Sequence, residues 1–213
     1  YRGWKEDGHG KVDLEKAIVE SSDVYFYSTA YDLTIKKLEP FLKKFGFGGK
    51  TNIDAEESNG LVPNEKWKLG YIGEFWFKGD SINLGIGQGY MLSTPIQISQ
   101  SIAVIANRGE IIKPRLVEEI DESPTELKSL GKINLKDETN WEKIEKSMIE
   151  VINSPNGTAN NIKDSRYVIA GKTGTAQIKS YEDQEYEDIR ENPFFRDHAL
   201  FVGYAPIPNP ELL

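Results

Sequence analysis

Among the 213 residues, the run richest in usable chemistry is Gly171-Lys172-Thr173-Gly174-Thr175-Ala176-Gln177. It offers an ammonium at Lys172, hydroxyls at Thr173 and Thr175, and bare backbone at Gly174. Two chemistries compete for it. Phosphate binding by a P-loop needs Gly-x-x-x-x-Gly-Lys-Thr opening a helix. Arg166 stands where the first glycine must be, and Lys44 stands there for the second Lys-Thr pair, Gly49-Lys50-Thr51. A nucleoside triphosphatase is thereby disfavoured. The other chemistry is capture of an anionic peptide end on a strand edge. Ammonium and hydroxyls would hold a carboxylate there, and Gly174 would let the ligand lie against the main chain. A plain surface strand has the same composition, so the run by itself leaves both readings open.

Composition narrows the field. There is no cysteine, which removes disulfides, cysteine-ligated zinc and a cysteine nucleophile. The 26 Lys+Arg against 34 Asp+Glu give a net charge of −8, the wrong sign for a nucleic-acid surface. The longest apolar run, Ile102 to Ala106, is far shorter than the roughly 20 residues that cross a bilayer. With 4 Trp, 10 Tyr and 9 Phe the chain can build a core and does not read as disordered. Its ends, Tyr1 without an initiator Met and Leu213 just past a strand-like run, read as those of a piece of something longer.

The elements that must position Lys172 follow from periodicity and caps. Asp13 caps a short helix with Leu14, Ala17 and Ile18 on one face. An aromatic-rich segment, Val24 to Leu33, is expected to pack inside. Ile35 to Phe45 forms a third helix closed by Gly46, with Pro40 expected to kink it or move its start. Phe47 to Asp80 is expected to be a packed connection without regular structure. Thr94-Pro95-Ile96-Gln97 is a helix start with capping box and first-turn proline, and Gly109 stops that helix. Ile111 to Ile120 reads as a strand pair or an extended edge, with Pro114 keeping it out of a sheet centre, and Asp121 to Glu138 as a polar surface insertion. Trp141, Ile144, Met148 and Val151 repeat at helical spacing. Tyr167 to Ile178 and His198 to Ala205 read as strands, joined by an acidic, aromatic segment from Lys179 to Asp197.

Several stretches in one order give the Lys-Thr-Gly run its context. Ser21-Ser22-Asp23 is followed by Val24-Tyr25-Phe26-Tyr27; then come Phe45-Gly46-Phe47-Gly48, Gly85-Ile86-Gly87-Gln88-Gly89-Tyr90 with Thr94-Pro95, and Pro155-Asn156-Gly157-Thr158-Ala159. Arg196-Asp197-His198 and Phe201 to Pro206 close the series. Together they resemble the penicillin-binding proteins and serine β-lactamases, whose signatures include Lys-Thr-Gly and Ser-x-Asn. The tone is that of the class B enzymes, and Gly8-His9-Gly10-Lys11 with Asp23 in place of Asn is similar to the elongation-type penicillin-binding protein 2. The resemblance covers almost the whole chain. It implies an α+β fold of the serine β-lactamase/D,D-transpeptidase type, with an antiparallel sheet flanked by helices and a helical subdomain, only part of which is present. Residues 1–213 would then be a partial transpeptidase domain: 1–110 mostly helical with the Ser-x-Asp motif, 111–160 an extended segment, insertion and helix, and 161–213 the strands with Lys-Thr-Gly. Such strands, short of neighbours, are expected to be ordered only beside the remainder of the domain.

The resemblance also implies roles. Ser21 would relay a proton toward the leaving amine and Asp23 would accept a hydrogen bond from the donor peptide's amide. Lys172 would hold the proton network and attract the terminal carboxylate, helped by Thr173 and Thr175, with Gly174 leaving room. The Thr175 N–H would form half of an oxyanion hole. The reaction implied is peptidoglycan D,D-transpeptidation through a serine acyl-enzyme, without cofactor, in cell-wall elongation. Its partners would be D-Ala-D-Ala stem peptides, β-lactams, the rest of the domain, a glycan polymerase and an elongation scaffold, with the parent anchored in the inner membrane and facing the periplasm. A non-catalytic penicillin-sensing or muropeptide-binding receptor of the same fold is the alternative, and a β-lactamase is disfavoured by Thr175-Ala176-Gln177.

One signature is missing. The family's Ser-x-x-Lys, bearing the nucleophile, should precede Ser21, yet the one such string, Ser129-Leu130-Gly131-Lys132, follows it and reads as a chance match in a surface loop. The chain alone is therefore expected not to form an acyl-enzyme. Weaker signals have bland readings. Gly85, Gly87 and Gly89 lack the last glycine of a dinucleotide fingerprint because Tyr90 stands there. His9 occupies the histidine position of a zinc site found in some relatives, but Ser22 replaces its cysteine and Gly3 its aspartate, so no metal is expected. His198 reads as a structural histidine. Tyr181 to Asp188 read as a solvated loop that has the reach to cover a substrate.

Overall fold

The computed structural model describes residues 3–177 and 196–213. The element order is α1 (Leu14–Val19), α2 (Asp23–Leu33), α3 (Ile35–Lys44), α4 (Glu65–Trp67) running into a π-helical turn (Lys68–Ile72), α5 (Lys78–Leu84) and α6 (Pro95–Ala106). Four short strands follow: β1 (Glu110–Ile112), β2 (Glu119–Ile120), β3 (Ser123–Pro124) and β4 (Ser129–Lys132). Then come α7 (Thr139–Asn153), β5 (Ala170–Ala176) and β6 (His198–Tyr204). β1 pairs with β4, β2 with β3 and β5 with β6, all antiparallel. The residue order thus produces an α+β architecture whose longest ladder carries the Lys-Thr-Gly run.

Helix α7 is the spine, for a reason visible in its sequence. Trp141 packs with Val104 and Ile133, Met148 with Ala170 and Tyr204, and Val151 and Ile152 with Ile18 and Ala159. Residues seven and eleven apart lie on nearly one face of a helix of 3.6 residues per turn, so one apolar stripe fastens α6, β5 and α1 together. α1 begins where expected, the Asp13 carboxylate accepting the Lys16 N–H at 2.9 Å. α6 has the expected reciprocal cap between Thr94 and Gln97. The fully buried Gln97 also donates to the Gly49 and Asn59 carbonyls at 2.6 and 2.9 Å, tying the glycine-rich connection to the core.

Two expectations, for the 47–80 stretch and for α2, are corrected, and two, for α3 and the 121–138 segment, gain detail. The stretch from Phe47 to Asp80 is not irregular throughout: Asn64 caps α4 by accepting the Trp67 N–H at 2.8 Å, and Asp80 accepts the Phe77 N–H at 2.7 Å to open α5. These local caps, with a Lys68–Asp80 ion pair at 2.8 Å, hold helices that carry no apolar periodicity. α2 does not pack fully inside; Ala30 is its buried residue, while Val24, Tyr31 and Leu33 are exposed. Ala30 packs tightly on Gly85, where any Cβ would stand 2.4 Å from the Ala30 Cβ. α3 starts at Ile35 and passes through Pro40, at the cost of one intrahelical hydrogen bond. The 121–138 segment is a hairpin and a strand: Asp121 and Glu122 both take positive φ, 50° and 61°, as a two-residue β-turn of the primed kind requires. Ile133 anchors it in the core at 5% exposure.

Candidate active site

Ser21 lies between α1 and α2 in a left-handed conformation, φ 53°. Its side chain meets β5: Lys172 Nζ donates to Ser21 Oγ at 3.0 Å across 151 positions of sequence. Lys172 Nζ also donates to the Thr173 carbonyl at 3.0 Å and to Thr173 Oγ1 at 3.4 Å. The Thr173 hydroxyl shares a hydrogen bond with that of Thr158 at 2.7 Å, which links β5 to the loop after α7. Ser21, Asp23, Lys172, Thr173, Gly174 and Thr175 all line one cleft of about 1500 Å³. The six residues singled out from sequence are therefore brought together. Trp4, Trp76 and the 86–93 loop also line it.

The ladder explains the glycines. Gly171 pairs with Gly203, Lys172 with Val202 and Gly174 with Leu200. A Cβ on Gly171 would stand 2.5 Å from the Phe201 ring, whereas one on Gly174 would meet Leu200 Cβ at an ordinary 3.7 Å. The fold thus demands glycine at 171 and not at 174, and the free space at 174 opens beside Lys172. Gln88 reaches across the cleft to donate to the Thr175 carbonyl at 2.8 Å. In an antiparallel ladder the N–H and C=O of a residue point to the same side, so the Thr175 N–H also faces the cleft.

The electrostatics suit proton handling. Burial pushes the Lys172 ammonium down from 10.5 to about 8, against the opposing pull of Asp23. Burial raises the Asp23 carboxyl above its ordinary value, offset by the Trp4 main-chain N–H, Lys172 and His9. A lysine titrating near neutrality beside a hydroxyl can pass a proton in either direction.

Other candidates fall elsewhere. Ser129 and Lys132 are exposed on β4, a strand and not the loop expected, and the Ser129 hydroxyl donates to the Glu110 carboxylate; neither lines the cleft. His198 is exposed at the start of β6. Tyr181 to Asp188 lie outside the described residues. His9 is buried with Nε2 lacking a partner among the described residues. A Cβ on Gly3 would stand 3.9 Å from Asp23 Oδ2 and 4.0 Å from His9 Cε1, so a carboxylate there would reach the imidazole. Gly3 supplies none, and Ser22 supplies only a hydroxyl. One imidazole and one carboxylate do not fit a zinc ion, which takes four ligands. Among the described residues no cluster of three or more His, Asp or Glu is placed to hold a metal.

Three contributors were not assigned roles from sequence: Trp4, Gln88 and Thr158. Gln88 and Thr158 lie in stretches that carried the family resemblance, and Gln88 is flanked by Gly87 and Gly89, both with φ 74°. Such a polar residue between two left-handed glycines is a signal for a protruding side chain. Trp4 belongs to no periodic pattern and left no comparable trace.

The Ser21–Lys172 contact and the edge of β5 meet in one cleft, and the chain belongs to the penicillin binding protein transpeptidase domain family, whose model matches residues 1–213. It is similar to the peptidoglycan D,D-transpeptidase MrdA of Haemophilus influenzae, 39% identical over 220 residues covering 100% of this chain and 34% of that protein. Among solved structures it resembles Pseudomonas aeruginosa PBP2 in complex with WCK 5153, with TM-score 0.85 and 42% identity over 99% of this chain and 45% of that one. It also resembles Helicobacter pylori PBP2 in complex with MreC, with TM-score 0.82 and 35% identity over 99% of this chain and 36% of that one. The chain spans about a third of the length of the curated relatives it matches.

Proposed function

We propose that these residues form the Ser-x-Asp and Lys-Thr-Gly walls of a peptidoglycan D,D-transpeptidase acting in cell-wall elongation. The observation that carries this reading is the 3.0 Å contact between Lys172 Nζ and Ser21 Oγ, which joins two distant signatures in one cleft. The acylated serine comes from a Ser-x-x-Lys segment outside the 213 residues. Its hydroxyl oxygen attacks the carbonyl of the penultimate D-alanine while its proton passes to the lysine of that segment, and the C–N bond to the terminal D-alanine breaks. Ser21 and Lys172 pass a proton to that departing amine, while the Thr175 N–H stabilises the oxyanion. Asp23 accepts the donor peptide's amide N–H, and Thr173 and Thr175 hydroxyls donate to its terminal carboxylate beside Gly174. An amine of a neighbouring stem peptide then attacks the ester, forming the cross-link and freeing the serine. No cofactor enters, and β-lactams react as mimics of the donor.

The same reading places the parent protein at the periplasmic face of the inner membrane with a glycan polymerase and a scaffold such as the MreC bound to the Helicobacter pylori relative. No helix among the described residues is long and apolar enough to cross a membrane. The test is release of D-alanine from a pentapeptide ending in D-Ala-D-Ala by the full-length protein. Covalent penicillin binding without D-alanine release or cross-linking would point instead to a sensor.

A further inference from the structure

Ser21 holds a conformation that residues with a Cβ avoid, and the one main-chain contact of its own N–H, to the Ile18 carbonyl, is long at 3.4 Å. The Glu20 and Ser21 carbonyls lie just past the end of α1, and the Trp4 indole N–H is shared between them, each at 3.1 Å. The main-chain N–H of the same residue hydrogen-bonds the Asp23 carboxylate. Trp4 thus grips the Ser21–Asp23 turn at both ends. It is braced in turn by the edge of His9, ring centroids 5.6 Å apart at 73°, and the His9 carbonyl accepts from Lys16 Nζ at 2.6 Å. Yet Trp4 is 61% exposed and joins none of the core clusters, so its ring adds little to the general stability of the fold.

We infer that Trp4 is a positioning residue for the acyl-transfer site: its indole N–H keeps Ser21 in the left-handed conformation that aims Oγ at Lys172. This rests on the proposed function for its consequence, although the grip itself does not. Without the indole donor the turn relaxes, and the competent population of Ser21 falls.

The experiment replaces Trp4 in the full-length protein by Phe, by benzothienylalanine, which keeps the bicyclic shape without N–H, and by 7-azatryptophan, which keeps the donor. The rate of covalent labelling by a fluorescent penicillin is expected to fall about tenfold, which corresponds to about 1.4 kcal/mol, for the first two and to stay near wild type for the third. Thermal midpoints are expected to stay within about 2 °C of wild type. Hydrogen exchange supplies a readout independent of the reaction. The Ser22 amide, bonded to the Ala17 carbonyl at 2.9 Å, should exchange about tenfold faster in the benzothienylalanine protein, with the α7 amides unchanged. Wild-type labelling and unaltered Ser22 exchange in that variant would overturn the inference. Absence of labelling in wild type would instead overturn the proposed function, with the exchange result still deciding on Trp4.

Discussion

Replacing Lys172 by Met should stabilise the protein at neutral pH while abolishing its chemistry, because the fold bears the cost of burying an ammonium. Lys172 falls from 10.5 to about 8 by burial, a depression equivalent to about 3 kcal/mol. Below pH 8 the lysine is protonated in both the folded and unfolded states, and the folded state carries the full cost. Between pH 8 and 10.5 the unfolded chain keeps the proton that the folded chain releases, so stability rises with pH across that window. Methionine removes the cost but also the hydrogen bonds to Ser21 Oγ and the Thr173 carbonyl, each worth about 1 kcal/mol, and Asp23 loses its neighbouring cation. The net expectation for Lys172→Met is a gain of about 1 kcal/mol at pH 7 that shrinks and changes sign toward pH 10. Urea unfolding of both full-length proteins at pH 7, 8, 9 and 10 measures it. A loss of stability at pH 7, or a difference independent of pH, would refute the claim that desolvation governs this lysine.

Other consequences follow from the same geometry. Carboxylate-bearing donor peptides should bind progressively more weakly as pH rises through about 8, the loss approaching tenfold per pH unit, and Lys172→Arg should flatten that profile in a fluorescence titration. Gly171→Ala should cost about 1 kcal/mol as the half-exposed Phe201 ring is pushed aside, whereas Gly174→Ala should leave the thermal midpoint unchanged and slow penicillin labelling at least tenfold; equal effects on both readouts would contradict the division of labour between the two glycines. Asp80→Asn should destabilise by about 1 kcal/mol in chemical denaturation, because Lys68, whose side chain is 3% exposed, loses the charge of its 2.8 Å partner but keeps Glu74 at 3.5 Å.

Much of the positioning framework was legible in the sequence because its determinants are local. The Asp13 and Thr94 caps and the apolar stripe from Trp141 to Ile152 each state their element within one helical stretch. The pairing of two strands around Lys172 was legible as well, since β-branched and small residues alternate there without helix signals. What escaped depended on distant partners. α4 and α5 rest on Asn64 and Asp80 caps in a glycine-rich stretch, where apolar spacing is uninformative. The exposure of α2 could not be read from its aromatic content, because Phe26 and Tyr27 line the cleft, Phe26 while also packing against the cluster of Ile18, Val151, Ile152 and Ala159. Among site residues, Ser21 and Lys172 were recognisable by motif. Trp4 acts through an indole N–H shared between main-chain carbonyls 16 and 17 residues away and Gln88 through a bond to one 87 residues away, and side chain to main-chain bonds of that span leave no pattern in the sequence.

The most direct test of the central claim is covalent labelling by a fluorescent penicillin, followed by peptide mapping, of the full-length protein and of the isolated 213 residues. The account predicts a labelled serine in the full-length protein, located in a Ser-x-x-Lys segment outside these residues, and no label on the isolated chain. Label on Ser129 or Ser21, or an isolated chain that labels at the full-length rate, would contradict it.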